Sequence, residues 1–290
     1  MRRTSGAWLS MAVSFVVVGA MTSCHSAGPG FVGSRAFEHV RAQVEIGPRS
    51  VGSEGARLTR EYIVKELEKV DWTTRTQDFV YRGVSGSNVV ASKGSGPLIV
   101  LGAHFDTRRV ADQDPVSPTE PVPGANDGAS GVAVLLELAR TLDVAKARAE
   151  IWLIFFDAED QGNLDGWPFS VGASYAAEQL SVEPQAVVVV DMIGDAQQQI
   201  LLERNSDAEL LGELWRTASD LGYEEYFVSE RGYAIMDDHI PFRQKGWVAV
   251  DIIDFDYPYW HTTQDTLDKV SAESLERVGR VLEAWLEGGR

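Results

Sequence analysis

Cysteine is nearly missing from this chain, which has one in 290 residues. A single thiol forms neither an internal disulfide nor a thiolate metal cage. Any metal centre must therefore draw on the five histidines and on carboxylates. Positive charge is also scarce. Lys and Arg total 26 against 43 Asp and Glu, a formal net charge of −17. A surplus of that sign repels phosphate backbones and anionic lipid, so nucleic acid is not expected as a partner. No internal repeat, heptad run or interdomain linker follows residue 35, and the Gly-x-Ser-x-Gly elbow of serine hydrolases is absent. With 44% hydrophobic and 24% charged residues, the composition is that of a globular protein with a sizeable core.

The longest uncharged, mostly apolar run covers residues 7–21, behind Arg2 and Arg3. At 15 residues it is short of the roughly 20 that a spanning helix needs. Its length and charge order fit a secretory signal. Met21-Thr22-Ser23 then places small residues before Cys24. This resembles a bacterial lipoprotein cleavage box. We expect residues 1–23 to be a lipoprotein signal peptide and Cys24 the lipidated new N-terminus. The only membrane contact would then be through that anchor, on an exported periplasmic or cell-surface protein. Residues 24–35, rich in Gly and Ser, read as a flexible tether. Residues 36–290 read as one globular domain.

Beyond residue 35, helical spacing marks 36–46 and 54–70. Strands are expected at 88–92, 97–104, 150–156, 186–193 and 247–253. Helices are expected at 131–142, 171–180, 207–221 and 272–286. Continuously apolar strands alternating with helices predict an α/β fold. Its centre is a mixed, mostly parallel twisted sheet with helices on both faces. Ligands bind such sheets at the carboxyl ends of the strands.

Polar groups gather at those ends. The strand at 97–104 ends in His104-Phe105-Asp106, that at 150–156 leads into Asp157-Ala158-Glu159-Asp160, and that at 186–190 leads into Asp191. The segment Gly124-Ala-Asn-Asp-Gly-Ala-Ser-Gly131 sets Asp127 before a helix, and the last strand runs on to Trp260-His261. His104, Asp127, Asp160, Asp191 and His261 thus reach one rim from five distant segments. Imidazole and carboxylate are the zinc ligands left when cysteine is excluded. Side chains of neighbours such as Glu159 and Asp160 diverge, so one can bind metal while the other faces a substrate and moves protons. Asp112 and Asp114, in a Pro-containing loop, read as solvated charges, and His239 as a hydrogen-bonded interior histidine.

These segments, with Asp237-Asp-His-Ile-Pro-Phe242 and Trp260-His261-Thr262, occur in a familiar order. The chain resembles the zinc-dependent aminopeptidase superfamily over roughly residues 36–287. Within it, the chain resembles the bacterial-type glutaminyl-peptide cyclotransferases. The resemblance implies one Zn2+ held by Asp127, Asp160 and His261, with Glu159 as proton shuttle. It implies Asp191 and Asp237 as carboxylates near the reacting amide, Trp260 as an aromatic wall and Trp167 as a second one. His104 and Asp191 also match second-metal ligands of the two-zinc aminopeptidases, so one ion or two remains open at this point. The animal cyclases carry His where this chain has Asp251, so the network behind the site must differ here. The implied reaction converts N-terminal Gln of peptides or proteins to pyroglutamate with release of ammonia. The alternatives are a di-zinc aminopeptidase and a binding protein on a retired hydrolase scaffold.

Overall fold

The computed structural model describes Met1 and residues 30–288. The expected signal segment and Cys24 lie outside the described residues. The tether expected over 24–35 is overturned at its far end. Phe31 is buried, and its ring lies against Gly279, where a Cβ would approach it to 2.2 Å. Helix α1 (Gly33–Ile46) begins two residues later. One large aromatic in a Gly/Ser run is enough to dock the segment. The backbone amides of Phe31 and Gly33 donate to Glu283 and Glu276 of the last helix, at 3.2 and 3.1 Å.

Helix α2 (Glu54–Glu68) starts at Ser53, whose side chain accepts from the Ala56 amide. A hairpin follows, with strands β1 (Thr73–Tyr81) and β2 (Val84–Gly94). Arg82 and Gly83 turn it at φ 48° and 81°, the positive values a tight two-residue hairpin turn requires. β1 escaped the sequence reading because it is an edge strand, mostly exposed and with few apolar residues. Next come β3 (Leu98–His104), α3 (Ala129–Thr141), α4 (Val144–Ala147) and β4 (Glu150–Phe156). Then come α5 (Val171–Gln179), β5 (Ala186–Asp191), β6 (Ile200–Leu202) and α6 (Ala208–Asp220). The chain closes with β7 (Phe227–Arg231), α7 (Ile240–Gln244), β8 (Ala249–Ile253) and α8 (Ala272–Glu287). β6 and β7 pair as a small separate sheet that the sequence did not announce. Among the described residues, no helix is long and apolar enough to cross a membrane.

The main sheet runs β1-β2-β4-β3-β5-β8. β1–β2 and β2–β4 are antiparallel, while β4–β3, β3–β5 and β5–β8 are parallel. This is the mixed, mostly parallel sheet expected. Strand residues alternate between two cores. Leu101, Leu153 and Val188 join residues of α1, α2, α3, α6 and α8; Val100, Ile154 and Val187 join those of α5 and α7. Both faces are therefore covered, which is why these strands read as unbroken apolar runs. Gly131 lets α3 lie close on the sheet, since a Cβ there would stand 2.4 Å from the Val190 carbonyl. From β3 the chain passes to β4 on one side and later returns to β5 on the other. β3 and β5 thus flank a topological switch point, where the carboxyl ends of such sheets open a crevice.

Candidate active site

The crevice receives His104 from the end of β3, Asp191 from the end of β5, and Glu159 and Asp160 from the turn after β4. Asp127 arrives on the turn before α3, and His261 on the loop after β8. All five rim residues of the sequence reading meet here and all are buried. They form two donor groups, His104–Asp127–Asp191 and Asp127–Asp160–His261, each with ligand atoms within 4.8 Å of one another. Asp127 belongs to both. Its Oδ1 lies 3.2 Å from His104 Nε2 and its Oδ2 3.8 Å from His261 Nε2.

The second group fits a metal on its own geometry. Asp127 Oδ2, both Asp160 carboxylate oxygens and His261 Nδ1 are buried without a hydrogen-bond partner. Asp160 Oδ1 faces His261 Nε2 at 2.9 Å but lacks hydrogen-bond geometry. Orphaned acceptors at this depth cost on the order of 1–3 kcal/mol each. A divalent cation between Asp127, Asp160 and His261 Nε2 would satisfy the carboxylate oxygens together, and that donor set suits zinc, while His261 Nδ1 faces Asp112 instead. In the first group, His104 Nε2 already bonds Asp191 Oδ1 at 3.0 Å, and its Nδ1 bonds the Asp106 carbonyl at 3.1 Å.

A ring of further residues holds these groups in place. Asp265 accepts from the amides of Asn126 and Asp127 at 2.8 and 3.1 Å and from the Tyr257 hydroxyl at 2.7 Å. Asp106 accepts from the amides of Glu159 and Asp160 at 3.0 and 3.1 Å, fixing the acidic pair. Buried Arg49 binds the Phe105, Pro123 and Gly124 carbonyls and so ties two site loops together. Arg108 binds the carbonyls of Asp160 and Gly162. Asp114 is not a solvated charge, and Asp112, though exposed, is engaged in the site's network. Asp112 grips Arg108 through both oxygens and stands 3.5 Å from His261 Nδ1. Asp114 is buried and accepts from the amides of Val116, Ser117 and Thr263. Asp265 had a weak sequence signal, four residues beyond His261; Arg49, distant from every motif, had none. Backbone strain collects at the same rim. Ala158, Met192 and His261 have φ of 61°, 46° and 56°, values costly for residues with a side chain and typical of functional sites.

A cavity of about 300 Å³ opens on this chemistry. Glu159, Asp191, Asp237, Phe169, Met192 and Ile235 line it beside Asp127 and His261. Trp260 lines it, stacked on His261 at 3.7 Å between ring centres. Trp167 does not line it. The turn it closes, with hydrogen bonds to Asn163 and Leu164, directs its indole onto Tyr81, and Phe169 takes the place expected of it. Burial lifts the carboxyl of Glu159 well above its usual range, and nearby Asp237 adds to that against the opposing pull of His104. Burial, reinforced by Asp127, brings Asp160 to about 6.

Residues 88–286 match the profile of peptidase family M28. The chain belongs to that family. Among its relatives, aminopeptidase YwaD of Bacillus subtilis is 29% identical over 202 residues, but the match spans only 40% of that protein's length. Glutaminyl-peptide cyclotransferase of Bos taurus is 25% identical over 82% of this chain and 77% of its own. The crystal structure of Porphyromonas gingivalis glutaminyl cyclase superposes with a TM-score of 0.83 at 30% identity, over 89% of this chain and 98% of that one. The M28 fold therefore carries both hydrolases and cyclases, and the site must separate them.

Proposed function

We propose that this chain is a glutaminyl-peptide cyclotransferase, turning the N-terminal Gln of a peptide or protein into pyroglutamate and ammonia. One observation carries the reading. Glu159 lines the same small cavity as Asp127 and His261 but stands outside the donor group Asp127–Asp160–His261. It is an acid left free for proton transfer. Similarity to a cyclase over nearly the full length of both chains supports the choice.

Asp127, Asp160 and His261 would hold one zinc ion, which supplies Lewis acidity toward the side-chain amide carbonyl. Glu159 accepts the proton that the substrate α-amine must lose and returns it to the departing ammonia. Its raised proton affinity suits both halves of that task. Asp191 and Asp237 face the same space and offer acceptors to the amine and amide N–H groups. Trp260, Met192 and Phe169 exclude water and hold the side chain folded toward its own amine. Nucleophile and electrophile sit on one residue, so the proximity advantage, about 7–11 kcal/mol when geometry is right, is largely present in the substrate already, and the cavity adds orientation that suppresses unproductive conformers. No external water is consumed.

The second reading, a di-zinc aminopeptidase, has its own observation: Asp127 is shared by two donor groups, as a bridging carboxylate would be. Product analysis separates the two. Incubation with a Gln-initiated and a Leu-initiated peptide, followed by mass spectrometry, should show loss of one ammonia from the first and no change in the second. Release of free leucine would favour the aminopeptidase. Neither product, with metal bound, would point to a binding protein.

We further propose export, with Cys24 as the lipid-bearing residue, on the strength of the apolar run at 7–21 and the small residues before Cys24. Cys24→Ala should release the protein from the membrane fraction.

A further inference from the structure

Behind the cavity lies a second buried group of ionisable side chains. Asp237 is its front member and lines the cavity. Asp237, His239 and Asp251 each offer an atom within 4.8 Å of the others, and all three are buried. They come from the turn before α7 and from the middle of β8. Glu203, just after β6, completes a row. His239 Nε2 lies 3.3 Å from Glu203 Oε2, and His239 Nδ1 lies 3.8 Å from Asp251 Oδ2. Glu203 is itself pinned by the amides of Asn205, Ser206 and Ile235 and by the Ser206 hydroxyl.

Most of these atoms lack ordinary partners. Neither nitrogen of His239, neither oxygen of Asp251, nor Asp237 Oδ2 completes a hydrogen bond of normal geometry. Asp237 and Asp251 nevertheless offer atoms within 4.8 Å of each other. As two carboxylates, both acceptors only, they would repel; with one proton between them they bond. Other charges facing the group are Asp238 on the same turn, Asp191 from β5, and His104 and Asp106. His239 is the imidazole that adjoins Glu203 and Asp251, while His104 bonds Asp191. Burying several acids around one imidazole is costly unless protons and orientation are fixed.

We propose that Glu203, His239 and Asp251 form a buried relay of positioning residues that holds Asp237 in one orientation in the active cavity. Glu203 anchors the imidazole, the imidazole orients Asp251, and a protonated Asp251 faces Asp237 as a donor. Asp237 then presents a fixed acceptor beside Glu159. The proposal rests on the cyclotransferase reading for its choice of reaction, but not for its geometry.

The test uses the full chain loaded with zinc and four variants, His239→Leu, His239→Gln, Asp251→Leu and Asp251→Asn. Zinc content, Tm, kcat and KM on a Gln-initiated peptide are measured for each. Removal of such an orienting partner typically costs about 10–100-fold in activity. We expect that loss in kcat for both Leu variants, with KM and zinc content unchanged. Asp251→Asn keeps a donor toward Asp237 and should retain activity within a few-fold of wild type. His239→Gln should fall between. Equal kcat in wild type and a folded His239→Leu would overturn the relay. So would an equal loss in Asp251→Asn and Asp251→Leu, or loss of a metal equivalent in His239→Leu, which would make the group a cation site. If either Leu variant fails to fold, its polar counterpart decides by the same kcat comparison. If wild type itself releases no ammonia, the cyclotransferase reading fails. The same variants, read on a Leu-initiated peptide, then judge the relay separately.

Discussion

The two halves of each central strand differ sharply. β3 and β5 begin with aliphatic residues, β4 after Glu150 is apolar throughout, and most of these residues are buried against helices on both faces. At their carboxyl ends the same strands deliver His104, Glu159, Asp160 and Asp191 into a rim of unpaired acceptors and left-handed backbone. One region is built for burial and satisfies its hydrogen bonds within the sheet. The other keeps polar atoms unsatisfied at a depth where that is costly. The lesson is that the sheet's packing supports a site that would not be stable by itself. Damage to one region should therefore leave the other's property largely intact.

The largest expected effect lies at the rim. Glu159→Gln removes the proton acceptor but no metal-type ligand, so kcat should fall about 10²–10⁴-fold while zinc stays bound. Steady-state kinetics with metal analysis checks this; a retained rate would end the role of Glu159. The mirror experiment is in the core. Leu101→Ala opens a cavity in β3 and should cost about 2–5 kcal/mol of stability by denaturant unfolding. The kcat of its folded fraction should remain near wild type, and a large drop would show that rim and core are not separable. A smaller effect is expected from Asp265→Asn, which disturbs the residue accepting from the Asp127 amide. Zinc affinity should weaken about 10–100-fold, measured by competition with a chelator.

The most gradual effect concerns pH. Burial raises Asp254, whose carboxylate accepts from the Gln199 amide, to about 7. The folded state therefore binds a proton more tightly than the unfolded chain. The stability this brings is present in full at pH below about 4 and is lost as pH rises through about 7. One such proton contributes a slope of at most about 1.4 kcal/mol per pH unit. Asp254→Asn should flatten that part of the unfolding profile; an unchanged slope would place the titration elsewhere.

How much of this was legible in the sequence follows from the same contrast. Doubly buried strands announce themselves as apolar runs, so β3, β4, β5 and β8 were readable. The edge strand β1 and the short β6 and β7 were not, because their faces are half exposed or only three to five residues long. The five rim residues were readable because each follows an apolar strand or a glycine turn. Asp265, Arg49 and the Glu203–His239–Asp251 row were not. Their roles depend on which distant loops the tertiary fold brings together, which no local pattern records. Trp167 shows the limit from the other side, for it was an apt residue type in a loop whose turn sends it to Tyr81.

The central claim is a single ion at Asp127, Asp160 and His261 with Glu159 uncoordinated beside it. A crystal structure of the zinc-loaded protein, with anomalous data at the zinc edge, tests it most directly. One anomalous peak among those three side chains, with the Glu159 carboxylate free in the cavity, is the expected result. A peak bound by Glu159, or four side chains that share no ion, would contradict it.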